Sequence, residues 1–187
     1  MSKGKLFVIS GASGVGKGTV LKAAMEKRDD LIFSVSATTR DPRPGEIDGT
    51  HYYFIPKEKF EEMIEKGEFI EYDNHAANYY GTPRGQMDEK LSRGIVLLDL
   101  EPNGAKLVKQ TCPDATLIFI MPPSVEELER RLRGRGDTSP EQIELRLARA
   151  KWEMEQRTRY DYVVVNDEVD ACAEKILNII ADKADEE

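Results

Sequence analysis

Lys5-Leu6-Phe7-Val8-Ile9-Ser10 runs directly into Gly11-Ala12-Ser13-Gly14-Val15-Gly16-Lys17-Gly18-Thr19, and an amphipathic stretch opens at Val20. Strand, glycine-rich turn, lysine and helix, in that order, form the arrangement that wraps the phosphates of a nucleoside triphosphate. The glycines let successive backbone N–H groups turn inward onto phosphate oxygens. The helix start adds a partial positive charge, and Lys17 adds a full one. A turn that binds nothing would account for some of the glycines but not for a lysine at its mouth. The stretch from Gly11 to Thr19, with Ala12, Ser13, Gly14, Val15, Gly16, Lys17 and Gly18, is therefore read as a contact for nucleotide phosphates. In the usual pattern a Ser or Thr follows the lysine and meets magnesium. Here Gly18 stands in that place and Thr19 comes next. Two arrangements stay open: Thr19 takes over the metal contact, or phosphates and water hold the ion.

The chain has 187 residues, enough for one domain with small inserted lobes. At 40% hydrophobic and 33% charged residues it has the profile of a soluble globular protein. It shows neither an apolar run of membrane-spanning length nor the apolar stretch of a signal peptide, so a cytoplasmic location without a membrane partner is expected. Cys112 and Cys172 match no metal or redox spacing and read as reduced structural thiols. His51 and His75 lack ligand spacing too. A net charge of −8 argues against nucleic acid as a partner. Against that acidic background, Arg130, Arg131, Arg133, Arg135, Arg146, Arg149, Arg157 and Arg159 crowd one stretch. Solvated helix faces with Glu partners explain several of them. Arg135, between Gly134 and Gly136, is poorly explained that way.

Five apolar runs read as buried strands: residues 5–10, 32–37, 95–100, 116–121 and 161–166. Helical patterns between them predict an α/β fold, with a five-stranded parallel sheet flanked by helices. Ser124-Val125-Glu126-Glu127 and Ser139-Pro140-Glu141-Gln142 both open helices, the second with Pro at its tolerated first position and an expected run to about residue 158. The polar segment between them, from Gly134 to Thr138, reads as the tip of a lid. Residues 38–93 interrupt the rhythm with prolines, glycines and tyrosines. Short alternating runs near 52–55 and 69–73 flank a helix around Phe60, which marks a small α+β lobe.

Within that lobe, Ser36-Ala37-Thr38-Thr39-Arg40-Asp41-Pro42-Arg43-Pro44-Gly45-Glu46 places two arginines three apart, stiffened by prolines. Arginine forks grip phosphate oxygens in a bidentate way. Downstream come Gly67-Glu68-Phe69-Ile70-Glu71-Tyr72 and Asn78-Tyr79-Tyr80-Gly81-Thr82. Tyrosine hydroxyls can donate to a phosphate, and a carboxylate can accept two donors from a purine edge. Together with the Met121 to Gly136 run, these segments closely resemble guanylate kinase over nearly the full length of the chain.

The resemblance implies an enzyme that phosphorylates GMP, and dGMP, with Mg2+-ATP in purine nucleotide metabolism. It needs no obligatory protein partner beyond these small-molecule substrates. It implies a core of residues 1–35, 94–127 and 158–187, a GMP lobe of 36–93 and a lid of 128–157. Arg40, Arg43, Tyr52 and Tyr80 would hold the GMP phosphate, and Ser36, Glu71 and Thr82 would face guanine. Arg135 and Arg146 match lid arginines, and Arg131 a basic position near ATP. Lys17, Arg40, Arg135 and Arg146 would carry catalysis. Asp99, at the end of an apolar run, suits a water-mediated magnesium contact and joins the GMP set with Glu101. The family often reads Asp-x-Asp-x-Gln-Gly there, whereas this chain reads Asp99-Leu100-Glu101-Pro102-Asn103-Gly104. Whether Glu101 meets guanine or metal-bound water stays open. Two rival readings are an adenylate kinase, which shares the loop ending, and a phosphopeptide-binding module on the same fold. The arginine–proline segment and Glu71 argue against the first, and Lys17 with the lid arginines against the second.

Overall fold

The structure, a computed structural model, describes residues 4–75, 77–134 and 139–184. Five strands form one sheet in the order β2-β7-β1-β8-β9: β1 (Leu6–Gly11), β2 (Leu31–Phe33), β7 (Ile95–Asp99), β8 (Thr116–Met121) and β9 (Tyr162–Val165). The pairings β2–β7, β1–β8 and β8–β9 are parallel. All six residues of β1 are buried, which is why its sequence is a continuous apolar run rather than an alternating one. The chain divides into two compact units, Met1–Leu6 with Asp30–Ala115, and Phe7–Asp29 with Thr116–Glu187.

In the second unit, α1 (Lys17–Lys27) buries Val20, Leu21 and Ala24 and packs against α7 (Val169–Ala184), which buries Cys172, Ala173, Ile176 and Ile180. Lys27 bridges the pair through Asp170 at 3.2 Å and Glu174 at 3.1 Å. Two further helices pack together, α5 (Val125–Arg133) and α6 (Pro140–Glu155). Ser124 caps α5 by accepting the Glu127 N–H. Ser139 and Gln142 form a complete capping box on α6, with Pro140 at the position where its missing N–H costs nothing. A 3-10 turn, Gln156–Arg159, follows α6 and ends close to the expected boundary.

In the first unit a second sheet has the order β4-β3-β6-β5, from β3 (Ala37–Thr38), β4 (Tyr53–Phe54), β5 (Phe69–His75) and β6 (Asn78–Pro83). Its own small core gathers Ala37, Phe60 and Phe69, with Phe60 of α2 (Lys57–Glu65) stacked between Phe69 at 4.3 Å and Tyr79 at 5.1 Å. Two further helices complete this unit, α3 (Arg84–Arg93) and α4 (Pro102–Thr111), the latter packed on β5.

Two sequence expectations are corrected. The run 32–37 is not one strand. β2 ends at Phe33, Ser34 N–H still donates to Leu97 O at 2.9 Å, and the chain then leaves to build β3 of the other sheet. Nor is 161–166 buried throughout: β9 lies at the sheet edge, with Val163 and Val165 exposed and Val164 buried. An edge strand needs only one apolar face, and β-branched residues serve there as well as in a core.

Candidate active site

The glycine-rich loop leaves the carboxyl end of β1 and enters α1 at Lys17. Val15 N–H donates to Ala12 O at 2.9 Å and closes the turn. Gly14 and Gly16 have φ of 86° and 89°, a region that side chains enter only with strain. Gly14 is also sterically closed, because a Cβ there would lie 2.5 Å from Leu132 Cδ2 of α5. Side chains from far along the chain hold the loop. Asn166 Nδ2 donates to Val15 O at 2.7 Å, and Glu153 accepts the Ser13 N–H at 2.6 Å. Both side chains are buried. Lys17 is half-buried, whereas Gly18 and Thr19 are exposed. A Cβ at Gly18 would touch nothing, so packing does not require glycine in that place.

Arg131 of α5 donates Nε to Glu127 at 2.7 Å and reaches the end of β9 through Asn166 O and Asp167 O at 3.0 and 3.2 Å. Arg146 lies half-buried on α6. Arg135 lies outside the described residues. Other arginines of the crowded stretch have the acidic partners expected of helix faces: Arg130 pairs with Glu127, and Arg133 with Glu129.

In the lobe, alternation along β6 separates two neighbouring tyrosines. Tyr79 enters the Phe60 core, while Tyr80 turns to the other face and meets Tyr52 edge-on at 6.0 Å. Thr38 and Thr39 pin the approach to Arg40: Thr38 Oγ1 donates to Tyr79 O at 2.9 Å, and Tyr79 N–H donates to Thr39 Oγ1 at 3.0 Å. The Arg40 guanidinium then sits 5.3 Å from the Tyr52 ring centre. Its Nη1 and Nη2 donate to Glu46 at 2.7 and 2.9 Å, and the same carboxylate accepts the Arg43 N–H at 2.7 Å. Pairing with Arg40 holds Glu46 at about 2 and raises Arg40, with a smaller contribution from Tyr80. Burial pushes Tyr52 up to about 12, helped by the charge of Asp99, so its hydroxyl remains a donor. Arg43 itself is exposed.

Glu71 and Thr82 face each other across β5 and β6 beside a bulge between Phe69 and Glu71. The bulge re-aims the strand and lets the acid enter the interior. Thr82 Oγ1 donates to Glu71 Oε1 at 2.7 Å, and both residues are buried. Burial raises Glu71 to about 7 despite the Thr82 hydroxyl. Gly104 leaves the acid room, since a Cβ there would lie 3.0 Å from Glu71 Oε2. Ser36 is half-buried and its carbonyl accepts Tyr53 N–H at 2.9 Å. Asp99 closes β7 half-buried, and Glu101 is the exposed residue that precedes α4.

The structure thus brings Arg40, Tyr52 and Tyr80 together, pairs Glu71 with Thr82, and forms the loop as expected. Sequence reading gave no role to Glu46, Glu153 or Asn166. Glu46 had a signal, an acid three residues after Arg43 in a stiff cationic segment. Asn166 and Glu153 had none, because nothing local shows that a polar residue 140 or more positions away reaches the loop.

A sequence model of the guanylate kinase family matches residues 3–183. The chain belongs to the guanylate kinase family. It is 48% identical over 177 residues to a guanylate kinase of Prochlorococcus marinus, covering 94% of this chain and 96% of that one. It is 49% identical over 182 residues to a guanylate kinase of Clostridioides difficile, covering 97% and 89%. The crystal structure of guanylate kinase from Anaplasma phagocytophilum superposes with a TM-score of 0.82 at 34% identity, over 99% of this chain and 88% of that one. The five-stranded parallel sheet flanked by helices, which here carries the glycine-rich loop, matches the fold of that guanylate kinase. Among the described residues, no helix is long and apolar enough to cross a membrane.

Proposed function

We propose that this chain transfers the γ-phosphoryl group of ATP to GMP, giving ADP and GDP, and that it accepts dGMP as well. The observation that carries the reading is the lobe itself. It buries an acid of suitable chemistry for a guanine edge, Glu71, in the same small sheet that positions Arg40, Tyr52 and Tyr80. Guanine offers a ring N–H and an exocyclic amine side by side, which one carboxylate can accept together. Adenine has no such donor pair on that edge. Ser36 and Thr82 complete the guanine side, and Arg43 adds charge for the phosphate. Asp99 and Glu101 sit at the start of the segment that leads to Gly104.

The reaction needs little covalent help from the protein. The phosphate of GMP is the nucleophile and is largely ionised at neutral pH, so no dedicated base is required. Loop amides and Lys17 orient the ATP phosphates, with Arg131 on the ATP side. Arg135 and Arg146, in a lid of residues 128–157, stabilise charge on the moving group and help exclude water. The lobe of 36–93 supplies GMP, and the remaining residues form the core. Among the described residues, no cluster of His, Cys, Asp or Glu could hold a metal on its own. Magnesium brought in on the triphosphate takes few protein ligands. Thr19 and Asp99 would hold it, directly or through water, and bound there it would neutralise phosphate charge.

An ADP-release assay across AMP, GMP, dGMP, IMP, CMP and UMP tests the reading. Turnover with GMP and dGMP is expected, with IMP a poor substrate and AMP, CMP and UMP inert. Equal turnover with AMP would replace it with an adenylate kinase, and no turnover with any would favour a binding module.

The position of Glu71 also gives a pH dependence. Only the ionised acid can accept both guanine donors, yet the free protein holds its proton up to about pH 7. GMP affinity attributable to Glu71 should therefore rise about tenfold between pH 6 and 8. Calorimetry on the wild type and Glu71→Gln separates this from titration of the GMP phosphate, because only the wild type should show the extra rise. Parallel profiles would remove Glu71 from guanine. The free protein should show the opposite trend in stability. The folded value lies above the usual 4.5, so the stabilising contribution is full below 4.5 and is lost as pH rises through about 7.

A further inference from the structure

Arg146, Arg149 and Glu153 follow one another on α6 at spacings of three and four, so they share one stripe of the helix. Glu153 is 2% exposed. A carboxylate so deeply placed needs partners on both oxygens. Its Oε1 accepts Arg149 Nε at 2.9 Å, an ordinary pairing within one helix. Its Oε2 does something else: it accepts the backbone N–H of Ser13, the third residue of the phosphate loop, at 2.6 Å. A bond to a main-chain donor fixes distance better than a bond to a flexible side chain, and an acid acceptor makes it short and strong. Seven residues back from Glu153, just under two turns and about 10 Å along the axis, stands Arg146 on nearly the same face.

We infer that Glu153 is a positioning residue: it locks α6 in register with the phosphate loop and so holds Arg146 at a fixed offset from the bound triphosphate. The inference rests on the ATP-site reading given above for the loop and Arg146. Leu132 of α5, packed under Gly14, supports the same register from the neighbouring helix. Loss of the Glu153 bond leaves the loop sequence and Arg146 intact but frees one to shift against the other. Small misplacements of this kind act on the reacting geometry more than on ground-state binding.

The test compares Glu153→Ala, Glu153→Asp and Glu153→Gln with the wild type, by steady-state kinetics, GMP calorimetry and amide hydrogen exchange at Ser13. Glu153→Ala should lower kcat about tenfold or more while GMP Kd stays within about twofold. Glu153→Gln keeps an oxygen that can accept the Ser13 N–H and should regain most of that kcat. Glu153→Asp keeps the acid but is one methylene too short, and should behave like Ala. Exchange at Ser13 should quicken in the Ala and Asp variants only. A lower Tm with unchanged kcat would overturn the inference, as would unchanged exchange at Ser13 or an Asp variant equal to the wild type. Should the Ala variant fail to fold, the contrast between Gln and Asp still decides. A wild type without GMP-dependent ADP release would overturn the proposed function instead, and the exchange measurements would decide the Glu153 contact independently of it.

Discussion

Lys17→Met is expected to abolish phosphoryl transfer and leave the melting curve unchanged. Lys17 is the first residue of α1, half-buried where the loop meets the helix. Three contacts that hold the loop go elsewhere: Asn166 and Glu153 bind backbone atoms of Val15 and Ser13, and Leu132 packs under Gly14. Methionine is a good helix former of similar length, so α1 should persist. The charge matters most where negative charge develops between the two phosphates. Removal of a preorganised donor at such a point costs about a hundredfold or more in turnover. Stopped-time ADP assays beside thermal melts measure both quantities. Near-normal turnover with a normal melt would count against the loop as the phosphate site.

The second large effect is expected at Glu71. Replacement by Gln keeps the size but turns one acceptor into a donor that would face the guanine donors. Burial makes this mismatch costly, since no water can relieve it. The loss in specificity for GMP should be on the order of 2–4 kcal/mol. IMP lacks the exocyclic amine and should lose less. The ratio of kcat/KM for GMP and IMP, in wild type and Glu71→Gln, isolates the contact. An unchanged ratio would transfer guanine reading to Ser36 or Glu101.

How much of this was legible depends on the range over which each residue acts. β1, the loop and α1 are local: an apolar run, glycines at forced backbone angles and a lysine follow one another within a few residues. The helix caps at Ser124 and Ser139 are local too. Alternation could say that Tyr79 and Tyr80 point apart, but not which of them enters the Phe60 core. The segment 32–37 looked like one strand because Val35 and Ala37 are as apolar as Leu31, although they serve different surroundings. β9 misled for the converse reason, since valine suits an exposed edge. Arg40 was singled out by pattern, as half of an arginine pair stiffened by prolines, whereas the roles given to Glu71, Tyr52 and Tyr80 came from the family resemblance. The Arg40–Glu46 clamp and the Glu153–Ser13 bond needed coordinates, because each depends on where a side chain ends rather than on its spacing.

The anchoring of the phosphate loop has a consequence for how the chain matures. The groups that fix the loop, Glu153 and Asn166, stand 140 and 151 positions after their partners in it. Such distant contacts form late, after the entropy of closing a long loop has been overcome. During synthesis the glycine-rich turn therefore precedes by well over a hundred residues the groups that give it its final shape. Until residues as distant as Glu153 and Asn166 have folded back onto it, the glycine-rich turn lacks the two side chains that fix its shape.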